Sequence, residues 1–157
     1  MTDRGFRSAA FGIVAVQAAL LVGFLVVPGG EDWAVPRWVS LAAGAVQVAG
    51  WLVLLAALVS LGRSLTVLPT PTGRSTLKTT GLYRFVRHPI YSGVLAIVGG
   101  GAVASGRVVK LVLALALSGL LIGKARWEEE MLRRRYRAYD DYAARTPRFL
   151  PRPRRRL

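Results

Sequence analysis

The chain has 157 residues, with 22 Lys and Arg against 8 Asp and Glu, a formal net charge of +14 and no cysteine. Hydrophobic residues make up 53% and the mean hydropathy is +0.41, so apolar and charged residues must be segregated along the chain. The lack of cysteine excludes disulfides, thiolate metal sites, a Cys nucleophile and palmitoylation, and a single histidine leaves no protein-bound zinc or iron site.

The N-terminus, Met1 to Arg7, is short and basic. Ser8 to Val27 carries no charge and is long enough to cross a hydrocarbon core about 30 Å thick at about 1.5 Å per residue. It exceeds the apolar part of a secretory signal and ends in Val27-Pro-Gly-Gly30 without a clear Ala-x-Ala site, so it reads as a retained helix. The loop Pro28 to Arg37 holds Glu31 and Asp32, with Trp33 and Trp38 as interfacial anchors. Trp38 to Gly62 is a second charge-free span. A polar connection follows from Arg63 to His88, broken by Pro69, Pro71, Gly73 and Gly81 and rich in cations. The excess of Lys and Arg places it in the cytoplasm with the N-terminus, and the acidic loop outside.

Ile90 to Gly106 and Leu111 to Gly123 are apolar and separated only by Arg107-Val-Val-Lys110, which predicts a tight helical hairpin. Lys110 and Lys124 can snorkel and lengthen the shorter fourth segment. Ser92, Ala96, Gly100 and Ala104, and likewise Gly119 and Gly123, recur at four-residue spacing and read as the packing faces of this hairpin. Gly99 to Gly101 is read as packing and not as a phosphate loop. Ala125 to Ala144 reads as an amphipathic helix continuing the fourth segment, with Glu128, Leu132, Arg135, Tyr139 and Tyr142 on one face. Glu130 precedes Arg134 by four residues, the favourable order for an ion pair, and Pro147 and Pro151 close the helix. The tail Arg152 to Leu157 fits contact with anionic lipid, worth about 1 kcal/mol per cation; no groove-reading element supports nucleic-acid binding. The expected fold is an all-α integral membrane protein with about four transmembrane helices, both termini cytoplasmic. It forms a single domain over 1–157: two N-terminal helices (1–62), a motif region (63–151) and the basic tail (152–157).

Neither a nucleophile triad, a Walker loop, a GxGxxG nor a metal spacing is present. The polar groups that remain gather at the cytoplasmic membrane face. Pro89 suits the first turn of a helix and pushes His88 out of the α region, which sets Arg87 and His88 at a helix mouth that attracts anions. Tyr83, Tyr91 and Gly93 belong to the same stretch, and the hairpin returns Glu128 and Glu129 to the same side. Ionisable groups at this boundary point to function; an Arg87–Glu128 ion pair clamping the hairpin is the structural alternative.

Gly81-Leu-Tyr-Arg-Phe-Val-Arg-His-Pro-Ile-Tyr-Ser-Gly93, followed after the hairpin by Arg126-Trp-Glu-Glu-Glu-Met-Leu132, by Tyr136, Tyr139 and Tyr142, and by Thr146-Pro-Arg-Phe-Leu-Pro151, resembles the isoprenylcysteine carboxyl methyltransferase family, itself related to the phospholipid N-methyltransferases. The resemblance covers residues 69–151. It implies an integral membrane methyltransferase that uses S-adenosylmethionine in a cytoplasm-facing pocket, with a lipophilic acceptor entering from the bilayer. Carried over by motif, Arg87, His88, Pro89, Tyr91 and Gly93 line the cofactor site with Glu128 and Glu129 opposite. On chemical grounds Tyr83 or Tyr91 can present a ring face to the sulfonium of this site, and Arg145 or Arg148, near the interface, can hold an acceptor carboxylate or phosphate. This chain departs from relatives by Arg137 where they often have Gly, and by four apparent membrane segments where five or more are common. NADPH-dependent membrane sterol reductases share a similar hairpin and basic-aromatic motif, and a non-catalytic adaptor binding anionic lipid is a third reading.

Overall fold

The structure is a computed structural model that describes residues 3–30, 32–61 and 77–152, with side chains from Ser8 onward. Every regular element among the described residues is helical. Helix α1 spans Asp3–Val26, α2 Arg37–Leu61, α3 Pro89–Ser105, α4 Val108–Arg135 and α5 Tyr139–Arg145, with one 3-10 turn at Gly81–Arg84. By length and composition α1, α2 and α4 can each cross a bilayer, while α3, with 17 residues, is shorter. The large apolar side chains of α2 that point outward, among them Trp38, Leu41, Leu52, Leu55 and Val59, are exposed, as suits a surface whose solvent is lipid.

Helix α3 lies between α2 and α4, and α4 between α3 and α1. Phe24, Val98, Ala102, Ala114, Leu117 and Leu121 from α1, α3 and α4 form the buried cluster. The turns of the two hairpins meet at one end. Asp32 N–H donates to Gly106 O (2.9 Å) and Gly30 N–H to Ser105 O (3.2 Å). The Asp32 carboxylate accepts from Val108 N–H (2.8 Å) and from the Arg107 guanidinium (3.1 Å), so a side chain from the first loop caps the first turn of α4. Gly106 closes α3 in the left-handed region (φ 61°), and a Cβ there would stand 2.9 Å from the carbonyl oxygens of Gly30 and Trp33.

Two expectations need correction. The small residues of α3 are not the face it turns to α4. A Cβ on Gly93 would lie 2.8 Å from Gly50 O, one on Gly50 would lie 2.9 Å from Ala96 Cβ, and one on Gly100 would crowd Ala43 O. The stripe seats α3 on α2, where backbones must approach closely to gain contact in lipid, and Gly119 and Gly123 face open space.

The helix expected over Ala125–Ala144 is interrupted. Tyr136 is extended (φ −121°, ψ 111°) and its N–H caps Leu132 O. The chain then turns through Arg137 and Ala138 into α5, which buries Tyr139 to 1% exposure. A continuous helix would hold Tyr139 and exposed Arg135 on a common face; the break separates them. No non-glycine residue among those described has positive φ, so Arg137 serves in this turn without the freedom of a glycine. The Glu130–Arg134 pair forms as expected, at 3.0 Å. Most of the polar connection, residues 62–76, and the tail beyond Arg152 lie outside the described residues.

Candidate functional site

At the end of the bundle opposite the two hairpin turns, four segments converge: the 3-10 turn, the start of α3, the last turns of α4, and residues 146–149 after α5. Pro89 opens α3 at its first position and is buried, with His88 as the flanking residue (φ −127°, ψ 63°). The expected anion-binding mouth is only partly free. Arg87 N–H donates to Pro147 O (2.9 Å) and His88 N–H to Arg148 O (3.1 Å). Ser92 Oγ adds a bond to Phe149 O (2.7 Å). The segment after α5 is thus strapped across the start of α3, and the His88 ring rests 5.9 Å from that of Phe149.

The paired glutamates meet this turn, but in different ways. Glu129 is fully buried. Arg148 approaches it with two parallel bonds, Nε to Oε1 at 2.8 Å and Nη2 to Oε2 at 2.7 Å, the bidentate geometry that suits a guanidinium. His88 Nε2 lies 3.1 Å from Oε1; a carboxylate only accepts, so this nitrogen carries the proton. Arg87 Nη2 stands 3.5 Å from the same oxygen. Its ion-pair partner is Glu129, not the Glu128 of the structural alternative.

Glu128 keeps more capacity. Tyr91 Oη donates to its Oε1 at 2.6 Å, and His88 Nδ1 stands 3.7 Å from Oε2, beyond a hydrogen bond. The Tyr91 ring stacks parallel on His88 with centroids 5.4 Å apart. Tyr83 sits on the 3-10 turn, where its carbonyl accepts from Tyr142 Oη at 2.5 Å. Burial, followed by the negative charge of Glu128, pushes the Tyr83 phenol up to about 12, so it is a neutral donor at physiological pH. Burial likewise raises Tyr142, helped by its neighbour Tyr139. Arg148 is raised by its bonds to Glu129 and stays a cation throughout. Among the described residues, Arg87 Nε and Tyr139 Oη are buried without a well-formed hydrogen bond, although the Arg87 guanidinium acts on the Tyr139 hydroxyl.

Of the residues singled out from the sequence, Tyr83, Arg87, His88, Pro89, Tyr91, Glu128 and Glu129 come together. Gly93 does not join them, because its missing side chain makes room for α2. Arg145 is exposed and bonds the Asp141 carbonyl of its own helix (3.0 Å). Arg148 is engaged with Glu129 rather than held open for an acceptor. The sequence places Tyr139 on an amphipathic face; in the structure it is buried within reach of the Arg87 guanidinium. Lys124 was read as a snorkelling cation but is buried, with Nζ on Gln17 Oε1 of α1 at 3.0 Å.

Residues 38–139, from the start of α2 to the start of α5, match the model of a family described as phospholipid methyltransferase. The chain belongs to that family. The match takes in the whole of α3 and α4 and both glutamates, and stops short of the strap that carries Arg148. Among curated proteins this phospholipid methyltransferase family member is similar to the nickel-cobalt-cadmium resistance protein NccN of Alcaligenes xylosoxydans xylosoxydans, with 42% identity over 77 residues, 48% of this chain and 36% of that protein. It is also similar to the cobalt-zinc-cadmium resistance protein CzcN of Cupriavidus metallidurans, with 39% identity over 79 residues, 50% of this chain and 37% of that protein. The matched stretch is thus little more than a third of the length of either relative.

Proposed function

We propose that this protein is an integral membrane methyltransferase that binds S-adenosylmethionine in the corner formed by Arg87, His88, Tyr91, Tyr83 and Glu128, and methylates a lipophilic acceptor that arrives from the bilayer. The observation that carries the reading is the meeting of the two halves of the motif. The turn before α3 and the glutamates at the end of α4 are distant in sequence, yet they touch through His88–Glu129 (3.1 Å) and Tyr91–Glu128 (2.6 Å).

The residues suit such a donor chemically. The Arg87 guanidinium, which keeps a small exposed edge beside Glu129, is a cationic donor for the methionyl carboxylate. Glu128, whose Oε2 has His88 Nδ1 no nearer than 3.7 Å, suits an ammonium or ribose hydroxyls. Tyr91 and Tyr83 offer aromatic faces to a cation. When bound, the donor supplies a methyl group activated on a sulfonium. The chain's own work is to orient the two partners and keep water away. Glu129 fixes His88, Arg87 and Arg148 around itself, and so holds the corner rather than touching the ligand. Family membership supports methyl transfer over the reductase reading, and the cations around the corner support a cytoplasmic position for this end. The exposed Arg152 and the basic residues after it suit anionic lipid headgroups.

The test is calorimetry on protein in detergent. S-adenosylhomocysteine should bind and NADPH should not. The opposite preference would transfer the protein to the reductases, and silence toward both would leave the adaptor.

A further inference from the structure

Lys124 is one helical turn before Glu128 on α4 and is buried. Its ammonium is placed where three helices meet. It donates to Gln17 Oε1 on α1 (3.0 Å) and lies 5.4 Å from the centre of the Tyr91 ring on α3. Among the described residues no carboxylate comes within ion-pair distance of it; Glu128 acts on it only through its field. A buried ammonium next to the apolar run of α4, with one neutral acceptor, one ring and only the field of Glu128 to balance its charge, has donor capacity to spare among the described residues.

The charge balance of the whole corner sharpens this. Arg87, Arg148 and Lys124 are cations, Glu128 and Glu129 are the carboxylates, and Glu129 is already shared by both arginines. The corner holds an excess of positive charge before any ligand enters. A sulfonium donor with a carboxylate and an ammonium adds one more positive charge. Such a site is relieved by an acceptor that brings an anionic oxygen and destabilised by one that does not.

We infer that Lys124 is the acceptor-reading residue of this protein: its ammonium holds an anionic oxygen, phosphate or carboxylate, of the lipophilic acceptor one turn deeper in the membrane than Glu128. The inference rests on the proposed methyl transfer for the word acceptor, but the anion site itself is a property of Lys124, Gln17 and Tyr91. The two sources of an anionic oxygen are a phospholipid headgroup and a carboxylate on a prenylated cysteine.

The experiment measures binding to the full chain by native mass spectrometry, independently of turnover. Four probes are used in two pairs: dioleoyl phosphatidic acid with dioleoylglycerol, and N-acetyl-S-farnesylcysteine with its methyl ester. Lys124→Met should weaken at least one charged probe about tenfold or more, leaving its uncharged counterpart and S-adenosylhomocysteine as in the wild type. Loss confined to phosphatidic acid assigns a phosphate, and loss confined to the farnesylated acid assigns a carboxylate. Lys124→Arg should keep the preference, and Lys124→Gln repeats the reading if the Met variant does not fold. Gln17→Leu removes the bond to α1 and keeps the charge, so it should leave the charged probes bound. Equal weakening of charged and uncharged probes, or the same loss in Gln17→Leu, would overturn the inference and leave Lys124 as a strut between α1 and α4. Absence of S-adenosylhomocysteine binding in the wild type would sink the methyltransferase reading alone, with the Lys124 result still standing or falling on its own pairs.

Discussion

Arg148 lays its guanidinium along both carboxylate oxygens of Glu129, at 2.8 and 2.7 Å, and so ties the segment after α5 to the last turns of α4. Glu129 is fully enclosed while the Arg148 side chain is 29% exposed, so the pair is a keystone seen from one side. Replacing Glu129 by Gln leaves Arg87, His88 and Arg148 without their common counter-charge. Removing one partner from a buried pair of this kind costs on the order of 3 kcal/mol. We expect Glu129→Gln to lower the unfolding midpoint in detergent markedly, and S-adenosylhomocysteine binding to fall with it.

Glu128 should behave differently. It holds Tyr91 but is not the centre of the network. Glu128→Gln should weaken S-adenosylhomocysteine by more than tenfold, or over about 1.4 kcal/mol, with an unfolding midpoint close to that of the wild type. Calorimetry and thermal unfolding on the same samples separate the two glutamates. Equal loss of stability in both variants would remove the distinction drawn here.

The close approach of α2 and α3 gives a third expectation. A Cβ at Gly50 or Gly93 would meet backbone at 2.8 Å, and backbone cannot step aside as a side chain can. Gly50→Ala and Gly93→Ala should each cost about 1–3 kcal/mol, while Gly119→Ala and Gly123→Ala, which meet nothing within 4 Å, should be nearly neutral. Unfolding in mixed detergent measures all four.

At the other end of the bundle, the Asp32 carboxyl is held below its usual range by the Val108 N–H, and next by its bond to Arg107. A depressed carboxyl contributes stability above its unfolded value of about 3.9 and loses that contribution as the pH falls through the folded value. The gap in unfolding midpoint between the wild type and Asp32→Asn should therefore be full at pH 6 and shrink progressively below about pH 4. A gap that is constant down to pH 3 would show that the charge of Asp32 contributes nothing.

The long apolar runs made both ends of α2 and the C-terminal end of α1 legible to within a residue, because a charge-free stretch in a basic chain has few alternatives; α1 itself starts at Asp3, five residues ahead of the charge-free run at Ser8. Pro89 likewise fixed the start of α3. The meeting of Arg87 and His88 with the glutamates followed from the hairpin alone. Which glutamate would be enclosed did not follow, since adjacent residues on a helix differ by about 100° and only the packing of α1, α3 and the strap decides between them. The stripe at Ala96 and Gly100 announced a close helix contact without saying which neighbour would use it; α2 supplied Gly50 and Ala43 to match. Arg148 was beyond reach for another reason. Its path to Glu129 depends on the turn at Tyr136–Ala138, and a periodic reading ran straight through that turn.

The main-chain bonds from Arg87 and His88 to Pro147 and Arg148 also carry a temporal implication. Residues 147 and 148 are translated after all four long helices, so during synthesis those helices can enter the bilayer while the N–H groups ahead of Pro89 still have only water to bind. Ligand affinity should accordingly arise late and abruptly as the nascent chain lengthens, after insertion is over, and arrested chains that stop short of Pro147 should be membrane-embedded yet empty-handed.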